Sequence, residues 1–253
     1  MFNPYEVRLD FGDRKRKFIT DRLAAAGFVV LASCKEGIVI VTTNNKIELR
    51  KKTFEIHYKM AGARIGEINA LNKLGELIMN AADGLHMNEA LPDVNALAKV
   101  LSNYFSELFN GNPQPIIFKF MLAEVGPSPD KDVFVELKCD GFVNNYKQYC
   151  VLGDTYKESP AGKQAEPLSA EELKAANDNT KMIVKIKEGL KEMFAARTAS
   201  GELVEVKDIL RLVCGVWGEG PKIEAVVLSR EPVEGDERHL VRLSKEEIQE
   251  KIK

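Results

Sequence analysis

Few residues in this chain have types and spacings that could do chemistry. Three histidines (His57, His86, His239) stand far apart, and no Ser/His/Asp pattern accompanies them. His57, beside Tyr58 at a strand end, reads as structural or surface. Asp10-Phe-Gly12 has the form of a kinase tripeptide without the other kinase elements. No Gly-rich phosphate loop or paired-carboxylate motif stands out. Four cysteines (Cys34, Cys139, Cys150, Cys214) lack CxxC spacing, so reduced, buried thiols are expected rather than disulfides or a metal site, and no cofactor is implied. One arrangement remains. A basic amphipathic segment, 12–26, runs into Gly27-Phe28, and Lys52 stands in a strand-like run downstream. A nucleophile exposed as a new first residue can use its own α-amine as base, but it has to be Thr, Ser or Cys. Phe28 cannot attack anything. Thr42 and Thr43 lie where no cleavage would expose them. No catalytic residue is assigned.

The elements that would position this junction are readable from periodicity. Two strand-like runs, 28–34 and 37–43, are joined only by Lys35-Glu36, and a third run covers 51–57. Ile65, Ile68, Leu71, Leu74, Leu77/Ile78 and Ala81 recur at three- and four-residue steps, which predicts a helix stopping near Gly84. A second helix is predicted to open at Pro92, with Leu97, Leu101, Phe105 and Leu108 on one face. Strands follow at 116–123, 132–139 and 142–151, the last two joined by the turn Asp140-Gly141. The stretch 153–180 is polar, with at most a short helix at 169–176. A helix over about 181–196, a strand pair at 210–217 and 223–228, and a last strand at 239–243 complete the series. Ser244-Lys-Glu-Glu247 is a capping box opening a C-terminal helix.

The 253 residues carry 36 basic and 38 acidic side chains, a net charge of −2, which points away from nucleic acid and membrane surfaces. The 45% apolar and 29% charged fractions are those of an ordinary globular protein. No signal-peptide stretch or membrane-length apolar run is seen, so the cytoplasm is the expected compartment. Strands joined by short turns, with helices arriving in pairs, predict an α+β fold: a four-layer α/β/β/α sandwich of two antiparallel sheets flanked by helices. A tail and basic helix at 1–26 and a single domain at 27–253 are expected.

This layout resembles the proteasome-type subunits of the N-terminal-nucleophile hydrolase fold, and among them the α-type subunit, over roughly residues 10–253. The stretches that carry the resemblance are 27–43, 52–64 with the helix after it, and 115–141. Gly66-Glu-Ile-Asn-Ala-Leu71, Ala82-Asp-Gly84, Pro115-Ile-Ile-Phe-Lys-Phe-Met-Leu-Ala-Glu-Val125 and Leu137-Lys-Cys-Asp-Gly141 are most similar to bacterial α subunits of the actinobacterial kind.

The resemblance implies a non-catalytic subunit. Phe28 occupies the nucleophile position and neutral Asn44 the position of the supporting acid, while Lys52 matches the lysine. It further implies a heptameric ring with other α-type subunits, a β-type threonine protease beneath it, and an ATPase unfoldase whose C-terminal tails dock in pockets between neighbours. Carried over, the pocket falls on Gly27, Lys52, Gly62 and Ala63. Residues 1–11 would be the gate, with Pro4-Tyr5 ordering part of it, although the Tyr-Asp-Arg gating triplet is missing. The family's third main helix normally follows a glycine near Gly153. Here the polar stretch predicts that it is shortened, shifted to 169–176, or replaced by a loop. The alternative is a diverged fold-mate acting as a standalone self-assembling binding or scaffold protein, or an unconventional hydrolase.

Overall fold

The structure, a computed structural model, describes residues 4–44, 52–87, 93–112, 114–156, 168–217, 222–232 and 239–253. The chain opens with helix α1 (Pro4–Ala25). The two apolar runs after it fold as a hairpin of β1 (Val29–Ser33) and β2 (Gly37–Asn44), with Val29 opposite Thr42 and Ser33 opposite Ile38. The third run forms β3 (Thr53–His57) and pairs with β4 (Met60–Gly66) through the turn at Tyr58-Lys59. Helices α2 (Ile68–Met87) and α3 (Val94–Gly111) follow, then strands β5 (Phe118–Glu124), β6 (Val133–Lys138), β7 (Val143–Tyr146) and β8 (Tyr149–Leu152). Helices α4 (Ala170–Ser200) and α5 (Val206–Trp217), strands β9 (Lys222–Ser229) and β10 (Leu240–Leu243), and helix α6 (Lys245–Ile252) complete the chain.

The strands make two antiparallel five-stranded sheets. Sheet one has the order β10-β9-β2-β1-β8 and sheet two the order β3-β4-β5-β6-β7. Alternation along β1 and β2 divides their side chains between two cores. Val29, Leu31, Ile38 and Ile40 join the buried cluster that holds Ala61, Ala63, Met121 and Ala123 of sheet two and the apolar faces of α2 and α3. Phe28, Val30, Ala32, Val39 and Val41 point the other way, onto Ile183, Ile186 and Leu190 of α4 and Ile209, Leu210 and Val213 of α5. This is the expected four-layer sandwich.

Several elements differ from the sequence reading. The polar stretch does not end in a short helix. A single 31-residue α4 covers both 169–176 and 181–196. Its capping box, Ser169 with Glu172, marks the start, and its buried stripe runs Ala176, Asn179, Ile183, Ile186, Leu190, Phe194. Asn179 hides the stripe from an apolar count. Its side-chain amide donates to the carbonyls of Ala24 (2.9 Å) and Ala25 (3.4 Å), so a polar residue fills a core position. Residues 157–167 lie outside the described residues.

The run 210–217 is helix α5 and not a strand. Its buried residues Val206, Ile209, Leu210 and Val213 have helical spacing, which the β-branched composition obscures. The run 142–151 splits at Lys147-Gln148, so β7 closes sheet two while β8 closes sheet one. α2 runs three residues past Gly84, at which an added Cβ would meet no neighbour. α3 opens at Val94, where the Asp93 carboxylate accepts from the amides of Asn95 and Ala96, both at 2.8 Å. Pro92 lies outside the described residues.

Burial pushes the thiols of Cys34 and Cys150 upward and that of Cys139 up to about 12, so they stay protonated and unreactive. Among the described residues, no helix is long and apolar enough to cross a membrane.

Candidate functional site

The Gly27 junction lies at one end of the sandwich, and α1 lies across that end. Ile19 and Leu23 of α1 enter the core shared by the two sheets. Lys15 anchors one side by donating to the terminal carbonyls of α3, at Phe109 and Asn112 (2.7 Å). An ammonium suits the negative end of a helix. On the other side Arg22 pairs with Glu172, and Asn179 binds the carbonyls that close α1. Gly27 links α1 to β1 with φ of 94°, a left-handed conformation that favours glycine.

Phe28 is fully buried. Its ring meets Trp217 edge-on at 5.1 Å, and a Cβ added at Gly153 would come within 2.9 Å of its Cβ. The Phe28 side chain is thus packing against the outer helices. Asn44 ends β2 opposite Lys222. Pro4 and Tyr5 fall in the first turns of α1.

Lys52 stands just before β3. Its carbonyl accepts from the Arg64 amide at 2.9 Å, and its Nζ lies 3.4 Å from the carbonyl of Ala26, beside Gly27. Among the described residues no carboxylate lies within ion-pair distance of that ammonium. Burial lowers its pKa to about 8, against the opposing pull of Glu224. Ala63 is opposite Thr53, and Gly62 opposite Phe54. Both are buried. A Cβ at Gly62 would sit 2.4 Å from Phe54 Cζ, so glycine is required there to seat that ring. The four residues therefore gather around the start of β3, with Lys52 and the Ala26-Gly27 backbone meeting directly and Gly62 and Ala63 behind them.

Two polar groups at this end went unread in the sequence. Glu224 accepts from Arg242 and from the Thr53 hydroxyl at 3.2 Å, joining sheet one to sheet two beside Lys52. Lys119, buried on β5, pairs with Asp154 at 2.5 Å and with Glu136 at 3.3 Å. Glu136 also accepts from Asn144 (2.7 Å) and Tyr146 (2.8 Å). Burial works to lower the Lys119 pKa, but the two carboxylates outweigh it and the net shift is upward. For Glu136 burial works upward, and Lys119 with the two hydrogen bonds reverses it. Lys119 and Glu136 thus both stay ionised. Their partners come from separate strands, and no local motif announces them. Among the described residues no cluster of three metal-ligating side chains occurs. The rings of His57 and His86 meet at 4.9 Å, tilted by 52°, at the other end of β3.

No protein-family model matches the chain. Curated relatives do. It is 31% identical over 153 residues to the proteasome subunit alpha of Arthrobacter sp. (strain FB24), and 29% identical over 153 residues to that of Pseudarthrobacter chlorophenolicus. It is 26% identical over 152 residues to the proteasome subunit alpha of Acidimicrobium ferrooxidans. The first two matches cover 60% of this chain and 63% of each relative, so the chain spans less than two thirds of their length. With its two antiparallel sheets between helix layers, the chain resembles the actinobacterial proteasome α-type subunits.

Proposed function

We propose that this chain is a non-catalytic α-type subunit of a proteasome-like particle. It would form a ring with other α-type subunits above a β-type threonine protease. The ring would gate the pore with residues 1–11, including Pro4 and Tyr5, and would dock the C-terminal tails of an ATPase unfoldase. The observation that carries this reading is Lys52. Its half-buried ammonium faces the Ala26 carbonyl, with no acid in ion-pair distance among the described residues, at the end of the sandwich where Phe28 is buried. A lysine left in that condition suits an incoming terminal carboxylate, which would neutralise it and offset part of its burial. The proposed location is the cytoplasm.

Replacing Lys52→Ala should abolish ATPase-stimulated proteolysis by a particle reconstituted with the β-type partner, while leaving its assembly and its unstimulated peptide hydrolysis unchanged. Docking should also depend on pH. The carboxylate needs the charged form of Lys52, whose folded-state pKa lies below the ordinary lysine value. Affinity for a peptide with a free C-terminus should therefore be constant below pH 8 and fall about tenfold for each unit above it. A flat profile through pH 9.5, or full stimulation of the alanine variant, would refute the assignment.

A further inference from the structure

We propose that Glu224 and Arg242 are positioning residues for Lys52: bonded to the adjoining Thr53, they hold a carboxylate and a guanidinium beside its ammonium and together set the field it feels. This rests on the reading of Lys52 as an anion-docking group. Glu224, on β9, and Arg242, on β10, both belong to the edge pair of sheet one, whereas Thr53, next to Lys52, opens the edge strand of sheet two. Arg242 donates to Glu224 Oε1, to Thr53 Oγ1 at 3.3 Å, and to the Thr53 carbonyl at 3.1 Å. The Thr53 hydroxyl, itself buried, donates to the same Glu224 oxygen at 3.2 Å. The triad therefore sets the gap between the two edge strands at the residue adjoining Lys52.

Among the described residues, few groups surround Lys52. α1 and β1 present the Ala26 carbonyl, β9 presents Glu224, and β10 presents Arg242. On β4 the Arg64 guanidinium is turned away, over the Phe54 ring and onto the Leu71 carbonyl at 2.7 Å. Among the described residues, Glu224 is the one charged group that favours the Lys52 ammonium, against burial. Glu224 and Arg242 are themselves only partly buried, so their mutual compensation is incomplete and either one alone changes the field.

The test measures the pH dependence of acetic anhydride labelling at Lys52 Nζ, read by mass spectrometry on the full chain. Glu224→Gln keeps the shape and removes the charge. It should speed labelling at pH 7 roughly three- to tenfold, because more of the amine is neutral. Arg242→Gln leaves Glu224 uncompensated and should slow labelling by a similar factor. Arg242→Lys, which restores the charge, should return the rate toward the starting value. A merely structural bridge would make both neutralising variants change labelling in the same direction, and that result, or no change in either, would overturn the proposal. A hexapeptide with a free C-terminus, compared with its amidated form, is then titrated against the same proteins. Opposite labelling shifts with no binding by either peptide would uphold the coupling and overturn the docking reading instead.

Discussion

Replacing Arg230→Leu should cost about 3–5 kcal/mol of folding stability and lower the melting temperature by about 10 °C. Arg230 follows β9 and reaches the far end of the sandwich from Gly27. It forks onto Asp132 with two bonds of 2.7 and 2.8 Å, and donates to the carbonyls of Gly126 (2.8 Å), Cys34 (2.7 Å) and Lys35 (3.3 Å). These groups belong to the β1–β2 turn of sheet one and the β5–β6 connection of sheet two, so one guanidinium ties the sheets together. The Asp132 side chain is 0% exposed and that of Arg230 12%. Removing the cation leaves a buried carboxylate with, among the described residues, only the Gly126 amide at 2.9 Å. The loss arises from that stranded charge, so Arg230→Leu combined with Asp132→Leu should recover much of it. Arg230→Lys should not, because an ammonium cannot make the planar fork. Thermal unfolding of the four proteins decides the point. A single leucine variant as stable as the parent would show that the clamp contributes nothing.

Placing a hydroxyl at position 28 should not create catalysis. Phe28→Thr removes a ring buried against Trp217 and α4, which should destabilise the chain by about 3 kcal/mol or more. The new hydroxyl would face the outer helices. Its amine would stay in the peptide bond to Gly27, at the end of a helix anchored through Lys15 and Arg22. The variant should melt lower, keep its intact mass, and hydrolyse no peptide substrate. Cleavage after Gly27 accompanied by new activity would contradict the placement of Phe28 as packing.

How much of this was legible in the sequence depends on whether the signal was local. The β1–β2 hairpin, the α2 stripe from Leu71 onward, the Asp140-Gly141 turn and the Ser244 capping box are local patterns, and the structure contains each of them, whereas Ile65, which heads the predicted stripe, belongs to β4. The two sheets followed from those runs. α4 was misread because Asn179 fills a core position through hydrogen bonds to α1, a partner 155 residues away. α5 was misread because β-branched residues occupy a helical face. At the candidate site Gly27, Phe28 and Lys52 could be singled out from the sequence. Glu224, Arg242 and Asp154 could not, because their meaning arises only when distant strands bring them beside Lys52 or Lys119. Nor could the sequence show that Gly62 seats the Phe54 ring, a contact made across the β3–β4 pair.

The central claim, a ring-forming α-type subunit, is tested most directly by native mass spectrometry of the chain co-expressed with the β-type proteasome subunit from the same source. The account predicts a stacked particle containing seven copies of this chain per ring, bound to processed β-type subunits. A monomer, or a self-assembly that excludes the β-type subunit, would contradict it.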